Sequence, residues 1–233
     1  MSRTRFDPER LPAAPDLHFE TQLWGNGARR VAGIDEAGRG ALAGPVYAAA
    51  VILPPPAAQA PTLHPQKELL ARLAGLNDSK KMSPDQRASW AGRLPRIVLA
   101  YSLGCATAQE IDTFGILPAT RLAIHRALLA LDPAPDHLLV DHIRLPRAPI
   151  PQTSLTKGDA RSLSIAAASV LAKTARDARM IELDARHPGY GFAAHKGYGT
   201  PQHLRAIRRL GPSPVHRMSF APLKPRLFQE KSR

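Results

Sequence analysis

The 233-residue chain holds a single cysteine, Cys105, so no disulfide can form within it. Nothing in its cysteine usage opposes a reducing cytoplasm, where the protein is expected to act. Long apolar runs are missing as well. The longest, residues 41–53, ends at three consecutive prolines and is too short to span a bilayer, so no membrane role is expected. No apolar segment follows the basic residues at the N-terminus, which argues against a secretory leader. Acidic residues are scarce: 19 Asp and Glu stand against 32 Lys and Arg, a net charge of +13. A field of that sign attracts polyanions, nucleic acid foremost. Arginine enrichment from a GC-rich genome would give the same balance, but its distribution is uneven. From Lys196 onward nine Lys and Arg meet one acid, Glu230, as in a phosphate-binding surface or arm.

With 44% hydrophobic residues, the chain can form one α/β domain with extensions. Residues 1–28 carry Pro12, Pro15 and scattered charges without periodicity, and read as a loosely ordered lead-in. Strands are expected over 30–37 and 46–53 around a glycine-rich turn, then over 97–106 and 137–141. The Pro/Ala segment 54–61 can hold neither ladder nor helix and reads as a surface loop. Helices are expected from Ser83 or Pro84 to about 94, over 116–131, and over about 161–185. The last has a small-residue face at Ala166, Ala167, Ala168 and Ser169 that would let it approach a sheet closely. The alternation of elements predicts an α/β fold with a mixed sheet.

Four acids stand at expected element ends. Asp35 and Glu36 close the first strand, Asp141 closes the fourth, and Asp159 precedes the Ala-rich helix. Each has a plain alternative. Asp35 could open a turn, and Asp159 could be the helix N-cap. Adjacent strand residues face opposite ways, so Asp35 and Glu36 cannot both be buried in one core. Oxygen ligands without Cys or His favour hard cations, Mg²⁺ or Mn²⁺, and carboxylates around two such ions suit in-line phosphodiester displacement. Spacing alone leaves open whether the four acids meet.

The run Gly33-Ile-Asp35-Glu36-Ala-Gly38-Arg39-Gly40-Ala-Leu-Ala-Gly44-Pro45-Val46 resembles the opening signature of the bacterial ribonuclease HII family, the type 2 ribonucleases H. Further matches follow in family order: Leu76-Asn-Asp78-Ser79-Lys80-Lys81-Met-Ser83, Ile111-Asp112, Leu138-Leu-Val-Asp141 and Lys157-Gly158-Asp159. Then come Ile165-Ala-Ala-Ala-Ser169-Val-Leu-Ala-Lys173 and Tyr190-Gly191-Phe192-Ala-Ala-His195-Lys196-Gly197-Tyr198-Gly199-Thr200. Several long motifs in order, from about Val31 to Lys224, outweigh any single short pattern.

The resemblance implies an RNase H-like fold, a catalytic domain over 29–224 with a helical C-terminal part from about 186, and a basic tail over 225–233. It implies an endonuclease that hydrolyses the RNA strand of RNA–DNA hybrids and cuts at ribonucleotides embedded in duplex DNA. The products would carry 3′-hydroxyl and 5′-phosphate ends. Asp35, Glu36 and Asp141 would be the more persistent ligands of Mn²⁺ or Mg²⁺. Asp159 would complete a two-ion site with substrate bound. A monomer is expected, with a sliding clamp as a candidate partner for the tail.

The 2′-hydroxyl is the chemical handle separating RNA from DNA. Gly38-Arg39-Gly40 would let the backbone approach a sugar without a Cβ in the way. A dinucleotide loop is disfavoured, because Gly38, Gly40 and Gly44 miss the G-x-G-x-x-G spacing. By the resemblance, Tyr198 stacks on the sugar beside the ribonucleotide; from the residues alone, core packing would serve as well. Lys80, Lys81, Lys157 and Lys196 are candidate phosphate contacts, though each could be a solvated surface charge. Three departures stand out. His142 follows Asp141 where the family commonly has glycine, Gly115 stands where it usually has asparagine, and the Pro/Ala loop is longer than usual. A DNA-junction nuclease of the same fold and an inactive basic binding module are the competing functions.

Overall fold

The computed structural model describes residues 11–56 and 65–224. Its elements are α1 (His18–Gly25), β1 (Val31–Ala37), β2 (Val46–Ile52), α2 (Pro65–Arg72), α3 (Pro84–Arg93), β3 (Ala100–Ala106), α4 (Ala108–Phe114) and α5 (Ile116–Leu129). Then follow β4 (His137–Asp141), β5 (Gln152–Leu155), α6 (Leu163–Arg186), α7 (Phe192–His195) and α8 (Pro201–Leu210). The five strands form one mixed sheet in the order β3-β2-β1-β4-β5, as the α/β expectation required. β1 pairs antiparallel with β2 and parallel with β4, while β2–β3 is antiparallel and β4–β5 parallel.

Side-chain alternation gives the sheet two buried faces. Ala32 and Ile34 of β1 join Ala50, Ile52, Leu138 and Val140 in a core covered by α5. Val31 joins Ala49, Val51 and Leu139 in a second core, covered by α6. Both helices lie close because glycine faces them. A Cβ on Gly33 would fall 2.2 Å from the carbonyl carbon of Ser164, and one on Gly104 would fall 2.1 Å from the carbonyl oxygen of Ala123. The Ala166–Ala168 stretch of α6 is fully buried there, as its small side chains suggested.

Several expectations need correction. The lead-in read as loosely ordered contains α1, docked on the start of α6; residues 1–10 lie outside the described residues. Glu20, fully buried, accepts from the Ser162 hydroxyl at 2.5 Å and from the Ser164 N–H at 2.9 Å. A buried acid in a short helix breaks the apolar period, so the pattern hid α1. The third strand starts at Ala100, because Leu94–Arg96 coils into a 3-10 turn. Helix α6 starts at Leu163 with Ser162 as its N-cap, so Asp159 does not cap it. Strand β5 carries no apolar alternation, and α4 is set by a Thr107/Glu110 capping box. Neither was expected. The tail 225–233 and residues 57–64 of the Pro/Ala loop region lie outside the described residues.

Candidate active site

Parallel neighbours β1 and β4 end side by side, and that is where the acids collect. Their register pairs Ile34 with Val140, so its next step sets Asp35 beside Asp141. Asp159 arrives from a 3-10 turn, Gly158–Ala160, between β5 and α6. With Glu36, all four line one open cleft of ≈ 640 Å³. Crevices beyond the carboxyl ends of strands are the usual ligand sites of α/β sheets.

Each acid is held differently. Asp35 faces α6, is 4% exposed, and accepts from the Glu36 N–H at 2.7 Å; beside it the Ser169 hydroxyl, which lowers its pKa against the other influences, lies 2.7 Å from that of Ser79. Glu36 points to the other side of the strand, where Arg39 Nη1 donates to its Oε1 at 3.2 Å. Asp141 Oδ1 accepts from the N–H of Gly158 at 2.7 Å. Lys80 Nζ donates to Asp159 Oδ2 at 2.9 Å. Burial, then the charges of Glu36 and Asp141, push the Asp35 carboxyl well above its ordinary range. Burial raises Glu36 too, against the opposing pull of Arg39. It also raises Asp141, with Asp159 adding to the shift. Burial would lower the Lys80 ammonium, but its bond to Asp159 outweighs that and raises it.

Three acids destabilised by burial and by each other form a site short of positive charge. Glu36 Oε2 is buried without a hydrogen-bond partner among the described residues, an acceptor still open to a cation. The donor set is all carboxylate, matching hard divalent ions. Among the described residues no three His, Cys, Asp or Glu side chains are closed into a ready-made ligand cage. The donors therefore fit Mn²⁺ or Mg²⁺ in kind and share one cleft, with the Lys80 ammonium bonded among them.

The cleft wall also holds Gly38, Arg39, Gly40, Lys80, Lys157 and Tyr198, but neither Lys81 nor Lys196. Lys196 turns back to the Ala193 carbonyl of its own segment, and Lys81 is exposed away from the cleft. His142, also on the wall, has φ 55, a left-handed conformation suited to glycine. Gly115 has φ 84 where α4 passes into α5, again a backbone suited to glycine. Two fully buried arginines, neither among the expected site residues, support the Gly38–Gly40 turn from beneath. Arg217 donates to the Arg39 carbonyl at 2.8 Å and to that of Gly44 at 2.9 and 3.0 Å. Arg176 donates to the Pro45 carbonyl at 3.0 Å, and its guanidinium carbon lies 5.4 Å from the Tyr198 ring centre. A Cβ on Gly38 would come within 1.8 Å of Arg176 Nε. Ser169, Lys173 and Arg176 recur at helical spacing along α6, the one pattern that could have pointed to Arg176; no such pattern marks Arg217.

Comparison with known proteins agrees with this architecture. The family model for Ribonuclease HII matches residues 32–223. The Ribonuclease HII of Geobacillus kaustophilus (strain HTA426) is 51% identical over 208 residues, covering 89% of this chain and 74% of that protein. That of Syntrophotalea carbinolica (strain DSM 2380 / NBRC 103641 / GraBd1) is 53% identical over 204 residues, covering 88% and 91%. The crystal structure of the ribonuclease H2 from Pyrococcus horikoshii OT3 shares the fold, with a TM-score of 0.64 at 24% identity over 83% of this chain and 95% of that one.

Proposed function

The chain belongs to the ribonuclease HII family and is a ribonuclease H hydrolase, and from that premise we propose that it cleaves at ribonucleotides paired with DNA, single embedded ribonucleotides included. The observation that carries the reading is the meeting of Asp35, Glu36, Asp141 and Asp159 in the cleft that also holds Gly38–Gly40 and Tyr198. Acids for phosphodiester chemistry thus lie beside groups able to sense a sugar.

Asp35, Glu36, Asp141 and Asp159 would hold Mn²⁺ or Mg²⁺, which when bound supplies an activated water and charge stabilisation for the leaving 3′-oxygen. The chain's own residues set up the rest. The N–H groups of Glu36 and Gly158 orient Asp35 and Asp141. Lys80 and Lys157 at the cleft wall attract the phosphate backbone irrespective of sequence. The N–H groups of Arg39 and Gly40, bonded to no other described residue, are open to a 2′-hydroxyl. Tyr198 offers a half-exposed ring to the neighbouring sugar.

The test compares cleavage of a duplex carrying one ribonucleotide with its all-DNA twin, with and without divalent ion. Metal-dependent cutting of the first alone is expected, leaving 3′-hydroxyl and 5′-phosphate ends. Equal cutting of both would exclude 2′-hydroxyl sensing. Tight binding without turnover under any divalent ion would leave a binding module instead.

A further inference from the structure

Behind Tyr198, on the side away from the cleft, lie three histidines that the proposed chemistry does not use. His203 and His216 are 0% and 2% exposed, and their Nε2 atoms are 3.0 Å apart. His203 Nδ1 lies 2.9 Å from the Tyr198 carbonyl, an acceptor only, so Nδ1 must carry a proton. At the other end the Ser213 N–H, a donor only, reaches His216 Nδ1 at 2.9 Å, so that nitrogen must be bare. Only one neutral arrangement satisfies both ends. His216 donates through Nε2–H to the bare Nε2 of His203, which donates through Nδ1–H to Tyr198. A second proton on either ring would set two N–H groups against each other.

His195 stacks on His203 with ring centres 4.3 Å apart and is fixed in the same way. Its Nδ1 accepts from the Gly197 N–H at 3.2 Å, and its Nε2 donates to the Tyr190 carbonyl at 2.8 Å. The backbone on both sides of Tyr198 is thus tied to ring nitrogens. The loop is in turn docked to the glycine-rich segment, where the Leu42 N–H donates to the Gly197 carbonyl at 2.8 Å.

We propose that His203, its proton placed by His216, is a positioning residue that fixes the Tyr198 backbone and so aims the ring at the sugar beside a ribonucleotide. This rests on the reading of Tyr198 given above. Without the Nδ1–H bond, the Tyr198 carbonyl keeps, among the described residues, only the Thr200 N–H, 2.8 Å away, and the backbone under the ring is held from its N-terminal side alone, through the Tyr198 N–H on the His195 carbonyl at 3.0 Å and through Gly197. Neither histidine touches substrate.

The test is the ratio of single-ribonucleotide cleavage to long-hybrid cleavage, measured for the wild type, Tyr198→Ala, His203→Leu, His203→Asn and the double variant Tyr198→Ala/His203→Leu. Loss of one buried hydrogen bond predicts a ratio lowered about 2- to 10-fold in His203→Leu. His203→Asn, whose amide can donate near the Nδ1 position, should restore most of it. The double variant should match Tyr198→Ala, because His203 acts through that residue. Multiplying losses in the double variant would overturn the proposal. So would an unchanged ratio in His203→Leu while Tyr198→Ala is impaired, leaving the Tyr198 reading intact. An unchanged ratio in Tyr198→Ala would overturn that reading and the proposal with it. If His203→Leu fails to fold, nitrogen-15 spectra of the wild-type histidines still decide. Protons on Nδ1 of His203 and Nε2 of His216 are expected; any other tautomer, or a charged ring at neutral pH, would overturn the proposal.

Discussion

Lys80 Nζ donates to Asp159 Oδ2 at 2.9 Å, joining residues 79 positions apart at the mouth of the acidic cleft. The same ammonium lies 4.0 Å from Asp78. Lys80 offsets Asp159 in the structure as it stands, as Arg39 offsets Glu36. A divalent ion would take over that task.

Replacing Lys80 with methionine should therefore destabilise the protein unequally in two conditions. The fall in melting temperature is expected to be larger with a chelator present than with saturating Mg²⁺. Thermal melts of both proteins in both buffers check this, and equal falls would show that Lys80 does not offset the acids.

Asp35→Asn should abolish cleavage while leaving hybrid binding largely intact. It should also stabilise the metal-free protein, because a buried carboxylate repelled by Glu36 and Asp141 becomes neutral. The melting temperature should rise by about 2–4 °C per kcal/mol of relieved repulsion for a domain of this size. A stability gain paired with lost activity is the signature of a site held under electrostatic tension; full activity with either ion would exclude the proposed site.

Gly33→Ala probes the fit of α6 on β1. The new Cβ would meet the backbone carbonyl carbon of Ser164 at 2.2 Å and the nitrogen of Ile165 at 2.5 Å, and backbone cannot swing aside as a side chain can. Overpacking of this kind costs roughly 1–3 kcal/mol. Because α6 also carries Ser169 to Asp35, cleavage should fall along with the stability. Denaturant unfolding and a cleavage assay on one preparation test both; unchanged unfolding would mean that the helix has room to move.

Stability should depend on pH through His216, whose pKa burial lowers to about 4, with His203 adding to the shift. The folded protein then binds this proton less readily than the unfolded chain, where histidine titrates near 6.5. The contribution is complete above about pH 6.5 and is lost as pH falls from there towards 4, by at most about 1.4 kcal/mol per pH unit for one group. Glu110, held at about 2 chiefly by its hydrogen bond from Arg126, contributes in a separate window below pH 4.5. Urea unfolding between pH 8 and 4 should show a steeper decline for the wild type than for His216→Asn. Parallel curves would mean that His216 is accessible to protons in the fold.

What the residues alone determined was chemistry and order along the chain. Apolar runs on either side of a glycine-rich turn marked β1 and β2, the small face of α6 announced a close helix–sheet contact, and the order of motifs around Asp35, Asp141 and Asp159 carried the family resemblance. Local signals of this kind survive in one dimension because they depend on near neighbours. Docking does not. Helix α1 was illegible because Glu20, which looks like a surface acid, finds its partners at Ser162 and Ser164, more than 140 residues away. Lys80 and Lys196 read alike in sequence, yet one reaches Asp159 and the other folds back on Ala193. Tertiary structure alone decided which cations face the acids, that Arg176 and Arg217 are buried under the glycine turn, and that His203 bonds His216 and stacks on His195 behind Tyr198. The reason is physical: burial and hydrogen-bond direction belong to the space between elements, and no stretch of the chain contains that space.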